Sequence, residues 1–107
     1  RDQIYVADVV KANLLASQCN TSGIFNVGTG TAVSFNEIVT ALNDVLGCCL
    51  QPYYIDNPYN SYQEHTLADL TAAKAVLGFE PEYPLDRGVK EYFQQIDIHE
   101  IAKVTSR

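Results

Sequence analysis

At 107 residues the chain has room for one modest domain, not for a complete dinucleotide-binding fold with a substrate domain beside it. Its 47% hydrophobic and 19% charged residues suit an ordinary globular domain, and a formal net charge of −6 argues against a general nucleic-acid or anionic-membrane surface. Any anionic ligand therefore has to be gripped by a local cation, and only seven Lys and Arg exist to do it.

Residues 1–18 read as a short strand, Ile4-Tyr5-Val6, running into a helix from Val6 to about Ser17, with Asp8 in its first turn where a carboxylate suits the positive dipole end. Asn20-Thr21-Ser22-Gly23 is a turn, and Ile24–Val27 is a short apolar strand bounded by glycine on both sides. Ser34–Leu46 is the clearest helix. Ser34 and Glu37 form a capping box, Phe35, Ile38, Val39, Leu42, Val45 and Leu46 form one apolar stripe, and Gly47 ends it. Leu50–Ile55 reads as an aromatic strand and Asp56–Gln63 as a polar loop carrying Tyr59 and Tyr62. Asp69 caps a short helix with Leu70, Ala73, Val76 and Leu77 inward and Gly78 closing it. Glu80–Pro84 is an extended connector. Leu85, Val89, Tyr92, Phe93 and Ile96 define a last amphipathic helix despite Gly88, and the tail 97–107 keeps some periodicity.

The chemistry-bearing candidates are few. Gly28-Thr29-Gly30 before a helix has the look of a phosphate loop, but a dinucleotide fingerprint needs a small residue where Val33 stands, and the capping box uses the helix's free N–H groups. A turn with positive φ is the expected role. His65 and His99 have no partner at metal-ligand spacing, and Gln63-Glu64-His65-Thr66 is polar enough to line a pocket but reads more plainly as a solvated loop before a helix. The residues four before Lys11, Lys74, Lys90 and Lys103 are Ala7, Leu70, Asp86 and His99, so no Tyr-x-x-x-Lys acid–base pair exists. No catalytic, cofactor-binding or metal-binding residue is expected. Cys19, Cys48 and Cys49 are odd in number and lack a C-x-x-C spacing, which favours free thiols in a reducing, cytoplasmic setting and disfavours zinc. No apolar run approaches membrane-spanning length, and Arg1-Asp2-Gln3 does not begin a signal peptide.

Three blocks carry a resemblance. Arg1-Asp2-Gln3-Ile4-Tyr5-Val6-Ala7-Asp8 is similar to the R-D-x-I/V-Y/H-V-x-D segment of the extended short-chain dehydrogenase/reductases, the nucleotide-sugar epimerases and dehydratases. Phe25–Gly30 with Ser34 resembles that family's Y/F-N-x-G-x-G-x-x-x-S segment, and Lys74–Pro81 its K/R-A-x-x-x-L-G-F-x-P segment. Within the family, Tyr62-Gln63-Glu64-His65-Thr66-Leu67-Ala68-Asp69-Leu70-Thr71 is similar to the Y-Q-x-x-T-x-A-D-L-T run of the heptose 6-epimerase subgroup, with Ser61 where that subgroup has Arg.

The resemblance implies a small α/β substrate-binding lobe of short strands and about four helices, spanning 1–96 and followed by the tail 97–107. It would complete a Rossmann-type enzyme whose cofactor domain, with NAD or NADP, is a missing N-terminal partner. Matched residue by residue, Arg1 falls on the family arginine at the ligand's phosphates and Tyr62 on a substrate-contacting tyrosine. The implied ligand is a nucleotide-diphosphate sugar, the implied assembly a homo-oligomer, and no nucleic acid or membrane is implied. UDP-sugar 4-epimerases and dTDP-sugar 4,6-dehydratases of the same family are the alternative. A non-catalytic interaction or dimerisation module is the alternative of another class.

Overall fold

Three α-helices and one π-helical turn carry the regular structure of residues 1–96, the residues that this computed structural model describes; the periodic tail 97–107 lies outside them. α1 is Val6–Ser17, α2 is Phe35–Leu46 and α3 is Leu85–Gln95, and the π-helical turn Ala73–Leu77 precedes α3. The helix ends follow local rules. The Ser34 hydroxyl accepts from the Glu37 N–H, and the Glu37 carboxylate accepts from the Ser34 N–H, so two orphan donors at the start of α2 are satisfied. Gly47 and Gly78 close their helices in the left-handed region, with φ of 66° and 67°. Asp69 accepts from both the N–H and the hydroxyl of Thr71, as a cap does.

The core lies between α1 and the π-helical turn. Ala12, Leu70, Ala73, Leu77 and Phe79 are buried together, with Ile4, Leu15, Phe25, Val27 and Ala68 packed round them. Phe79 is fully buried, which contributes about 2–3 kcal/mol. Val76, expected inward, is 42% exposed. The wider π turn keeps Leu77 over Ala73 and carries Val76 off that face.

The expected strands form no ladder among the described residues. The isolated antiparallel bridge present, Asp2 with Ala32, lies outside all of them. A strand needs the N–H and C=O groups of a neighbour, and Ile24–Val27 and Leu50–Ile55 have none among the described residues. Ile24, Tyr53 and Ile55 are 96%, 90% and 74% exposed. The α2 stripe is likewise only partly covered. α2 packs on α3, leaving Ile38, Val39, Leu42 and Val45 half-buried and Phe35 and Leu46 exposed. Gly88, unusual inside a helix, lets α3 approach the start of α1, since a Cβ there would stand 3.2 Å from the Tyr5 Cβ.

Asp8 ties the end of the chain to its beginning. It is buried, and its carboxylate accepts from the Glu82 N–H at 3.0 and 3.2 Å and from the Tyr83 N–H at 3.0 Å. One turn on, Lys11 donates to the Glu80 carbonyl and to the Glu82 carboxylate. Tyr83 then lies 4.9 Å from the Tyr5 ring, with the Arg87 guanidinium 4.4 Å from its own ring centroid. Asp8 does sit in the first turn of α1, as expected, but its hydrogen bonds go to the distant connector and not to the helix's own N–H groups.

Candidate functional site

Three chain segments meet at Asp2. Arg1 and Val33 exchange main-chain hydrogen bonds of 2.7 and 2.8 Å, which fixes the 1–3 segment beside the entry to α2. The Asp2 N–H donates to Thr66 Oγ1 at 3.2 Å. On the Asp2 carboxylate, Oδ1 accepts from the Thr29 N–H at 2.8 Å and the Thr29 hydroxyl at 2.6 Å, and Oδ2 accepts from the N–H groups of Gly30 at 3.0 Å and Ala68 at 3.2 Å. Burial opposes the charge, but the hydrogen bonds from Thr29, Ala68 and Gly30 outweigh it and hold the carboxyl below its ordinary range.

A carboxylate held lower in the folded chain stabilises above its unfolded value and loses that contribution as pH falls through the folded value. Glu37, Asp69 and Glu82, held down by Ser34, Thr71 and Lys11, titrate in the same sense. Urea midpoints are therefore expected to fall as pH drops below about 4. Asp2→Asn should flatten that acid slope; an unchanged slope would show that Asp2 carries no such linkage.

The Gly28-Thr29-Gly30 turn has its amides occupied from inside. The N–H groups of Thr29 and Gly30 point to Asp2, and that of Ser34 to Glu37. An internal anion takes the place a phosphate would need at the Thr29 and Gly30 amides of this turn. Gly30 has φ of 74°, the expected positive-φ role, whereas Gly28 is required for close approach. A Cβ on Gly28 would stand 2.6 Å from Asp2 Oδ2 and 2.7 Å from the Ala68 Cβ. Gly28→Ala should destabilise by about 1–3 kcal/mol, read from the urea midpoint; a midpoint equal to wild type would contradict this packing.

Arg1 and Tyr62, far apart in sequence, come together. The Arg1 guanidinium carbon lies 4.9 Å from the Tyr62 ring centroid. The stack orients the fork and contributes about 0.5–2 kcal/mol. Among the described residues the ion pair is Lys11–Glu82, so no carboxylate occupies the Arg1 guanidinium. Tyr62 is 42% exposed and Arg1 half-buried. A planar, unpaired, pre-oriented guanidinium is suited to bidentate grip on a phosphate or carboxylate.

Beside them opens a polar hollow of about 520 Å3 lined by Asp2, Asn26, Gln63, His65 and Thr66 with Val27, Leu67 and Ala68. Arg1 and Tyr62 do not line it, but their chain neighbours Asp2 and Gln63 do. Gln63, His65 and Thr66, read from sequence as a solvated loop, thus face a concave surface. Asp2 and Thr66 were missed as organising residues because their partners lie elsewhere in the chain. A carboxylate next to Arg1, with free turn amides to satisfy in Gly-x-Gly, was the available signal. Among the described residues no group of three or more His, Cys, Asp and Glu could hold a metal ion, and no helix is long and apolar enough to cross a membrane.

No family model matches the sequence. The chain is 38% identical over 100 residues to the ADP-L-glycero-D-manno-heptose-6-epimerase of Brachyspira hyodysenteriae, covering 91% of this chain and 31% of that protein. Its fold is similar to the Helicobacter pylori ADP-L-glycero-D-manno-heptose-6-epimerase, with a TM-score of 0.79 and 38% identity over 88% of this chain and 29% of that one. It is also similar to the UDP-glucose 4-epimerase of Thermotoga maritima, solved with UDP-glucose, with a TM-score of 0.78 and 38% identity over 89% of this chain and 31% of that one. The chain spans less than a third of the length of each.

Proposed function

We propose that this chain is the C-terminal, substrate-binding portion of an NAD(P)-dependent nucleotide-sugar epimerase that acts on an ADP-heptose. The observation that carries the reading is the Arg1 guanidinium held over the Tyr62 ring with no carboxylate of the described residues paired to it. Its fork would take two oxygens of the ligand's diphosphate, and the Tyr62 ring and hydroxyl would border the sugar nucleotide at the mouth of the loop. Similarity to two heptose epimerases supports the choice of ligand.

The chain's own residues bind and orient. NAD(P) supplies hydride transfer when bound, and with the Thr29 and Gly30 amides turned onto Asp2 its site belongs to another part of the enzyme in this reading. The uncovered apolar residues support the same view. Val6, Val10 and Leu14 make an exposed stripe along α1, and Ile24, Leu50, Tyr53, Tyr54 and Ile55 are exposed on the unpaired segments. A companion lobe that pairs those segments and covers that stripe would bury them.

The equal identity to a UDP-glucose 4-epimerase favours one rival reading, inversion at carbon 4 of a UDP-sugar. The test offers the whole enzyme, with NAD(P), an ADP-heptose and UDP-glucose in parallel, and follows sugar inversion by proton NMR. Inversion at carbon 6 of the ADP-heptose is expected. Inversion of UDP-glucose alone moves the assignment to the 4-epimerases, and inversion of neither removes it.

A further inference from the structure

We infer that Asp2 is a positioning residue that keeps the Arg1 guanidinium free for an anionic ligand, an inference that rests on the clasp reading above. Asp2 is joined to Arg1 by one peptide bond, and a carboxylate so close is a natural partner for a guanidinium. It is not paired with it, because its acceptor capacity is full. Two oxygens offer about four lone-pair directions, and four donors take them: the N–H and hydroxyl of Thr29 on Oδ1, and the N–H groups of Gly30 and Ala68 on Oδ2. The negative charge is directed into the fold, and the adjacent positive charge is left for a ligand.

The same bonds set the spacing of the two clasp residues. Arg1 is pinned to Val33 by its main chain, while Tyr62 belongs to the loop that ends at Thr66 and Ala68. Asp2 holds Thr66 through its N–H and Ala68 through its carboxylate. The approach of Arg1 to the Tyr62 ring thus depends on Asp2 gripping both the 28–30 turn and the 66–68 segment. An asparagine at position 2 turns an NH2 donor toward backbone N–H donors, leaves two of them without an acceptor and loosens the 66–68 segment.

The test is a double-mutant cycle on ADP affinity and on steady-state kinetics in the whole enzyme. Asp2→Asn is expected to weaken ADP binding by about tenfold and to raise KM with kcat nearly unchanged, and to add almost nothing in an Arg1→Ala background. Thr29→Val, which removes the hydroxyl's bond to Asp2 together with its exposed bonds to Thr31, is expected to weaken ADP binding by about two- to fivefold, again only when Arg1 is present. Asp2→Asn and Thr29→Val losses of equal size with and without Arg1 overturn the inference, as does unchanged affinity in Thr29→Val. If Asp2→Asn fails to fold, Thr29→Val alone decides. Should Arg1→Ala itself leave ADP affinity intact, the clasp reading fails, and that outcome is distinct from the failure of Asp2 to act through it.

Discussion

An Asp8→Ala chain should unfold at a markedly lower urea concentration than the wild type, with a loss of about 3 kcal/mol or more. The carboxylate is buried in the first turn of α1 and accepts from the N–H groups of Glu82 and Tyr83. Alanine leaves two part-buried donors without their acceptor, and each such loss costs about 1–3 kcal/mol. It also releases the connector that places Tyr83 against Tyr5 and sets the entry to α3. A chain of this size has a total stability of about 5–15 kcal/mol, so the effect is a large share of the whole. Asp8→Asn keeps one acceptor oxygen and should fall between the two. Urea denaturation followed by far-ultraviolet dichroism measures all three, and equal midpoints for wild type and Asp8→Ala would contradict the packing described.

Arg1→Ala should raise KM for the nucleotide sugar by about ten- to a hundredfold, the equivalent of 1.5–3 kcal/mol for a charged hydrogen bond. Among the described residues the guanidinium makes no ion pair, so its removal costs the fold the stack on Tyr62, about 0.5–2 kcal/mol, and the urea midpoint should fall by no more than that. Arg1→Lys keeps the charge but loses the planar fork and should recover only part of the affinity. Tyr62→Phe keeps the ring that orients the fork and should lose less than Tyr62→Ala, which removes the 4.9 Å stack. Steady-state kinetics and ligand titration across these four variants separate loss of charge from loss of orientation. An Arg1→Ala enzyme with unchanged KM removes Arg1 from the site.

What could be read from the sequence was local. Ser34 and Glu37 three residues apart, Gly47 and Gly78 just past apolar stripes, and Asp69 two residues before Thr71 satisfy each other within one turn, so spacing alone identifies them. The roles of Asp2 and Asp8 were not legible in this way. Their partners lie as much as 66 and 75 residues away, and a single aspartate carries no sign of which distant N–H groups it will meet. The strands were legible as composition but not as structure. Ile24–Val27 and Leu50–Ile55 are β-prone, yet a ladder needs a second edge that the described residues do not provide. Arg1 and Tyr62 were reached through motif resemblance, since neither has a local pattern that marks a site, and their 4.9 Å approach is a product of folding.

The central claim is that a sugar nucleotide is held by its diphosphate between Arg1 and Tyr62. The most direct measurement titrates the protein, labelled at arginine side chains and tyrosine rings, with ADP and with adenosine by NMR. The account predicts that ADP shifts the Arg1 Nε–H and Tyr62 ring resonances together, that adenosine does so far less, and that the Thr29 and Gly30 amides, already bonded to Asp2, stay in place. Saturable ADP binding that moves the Thr29 and Gly30 amides while Arg1 and Tyr62 remain unshifted would contradict it.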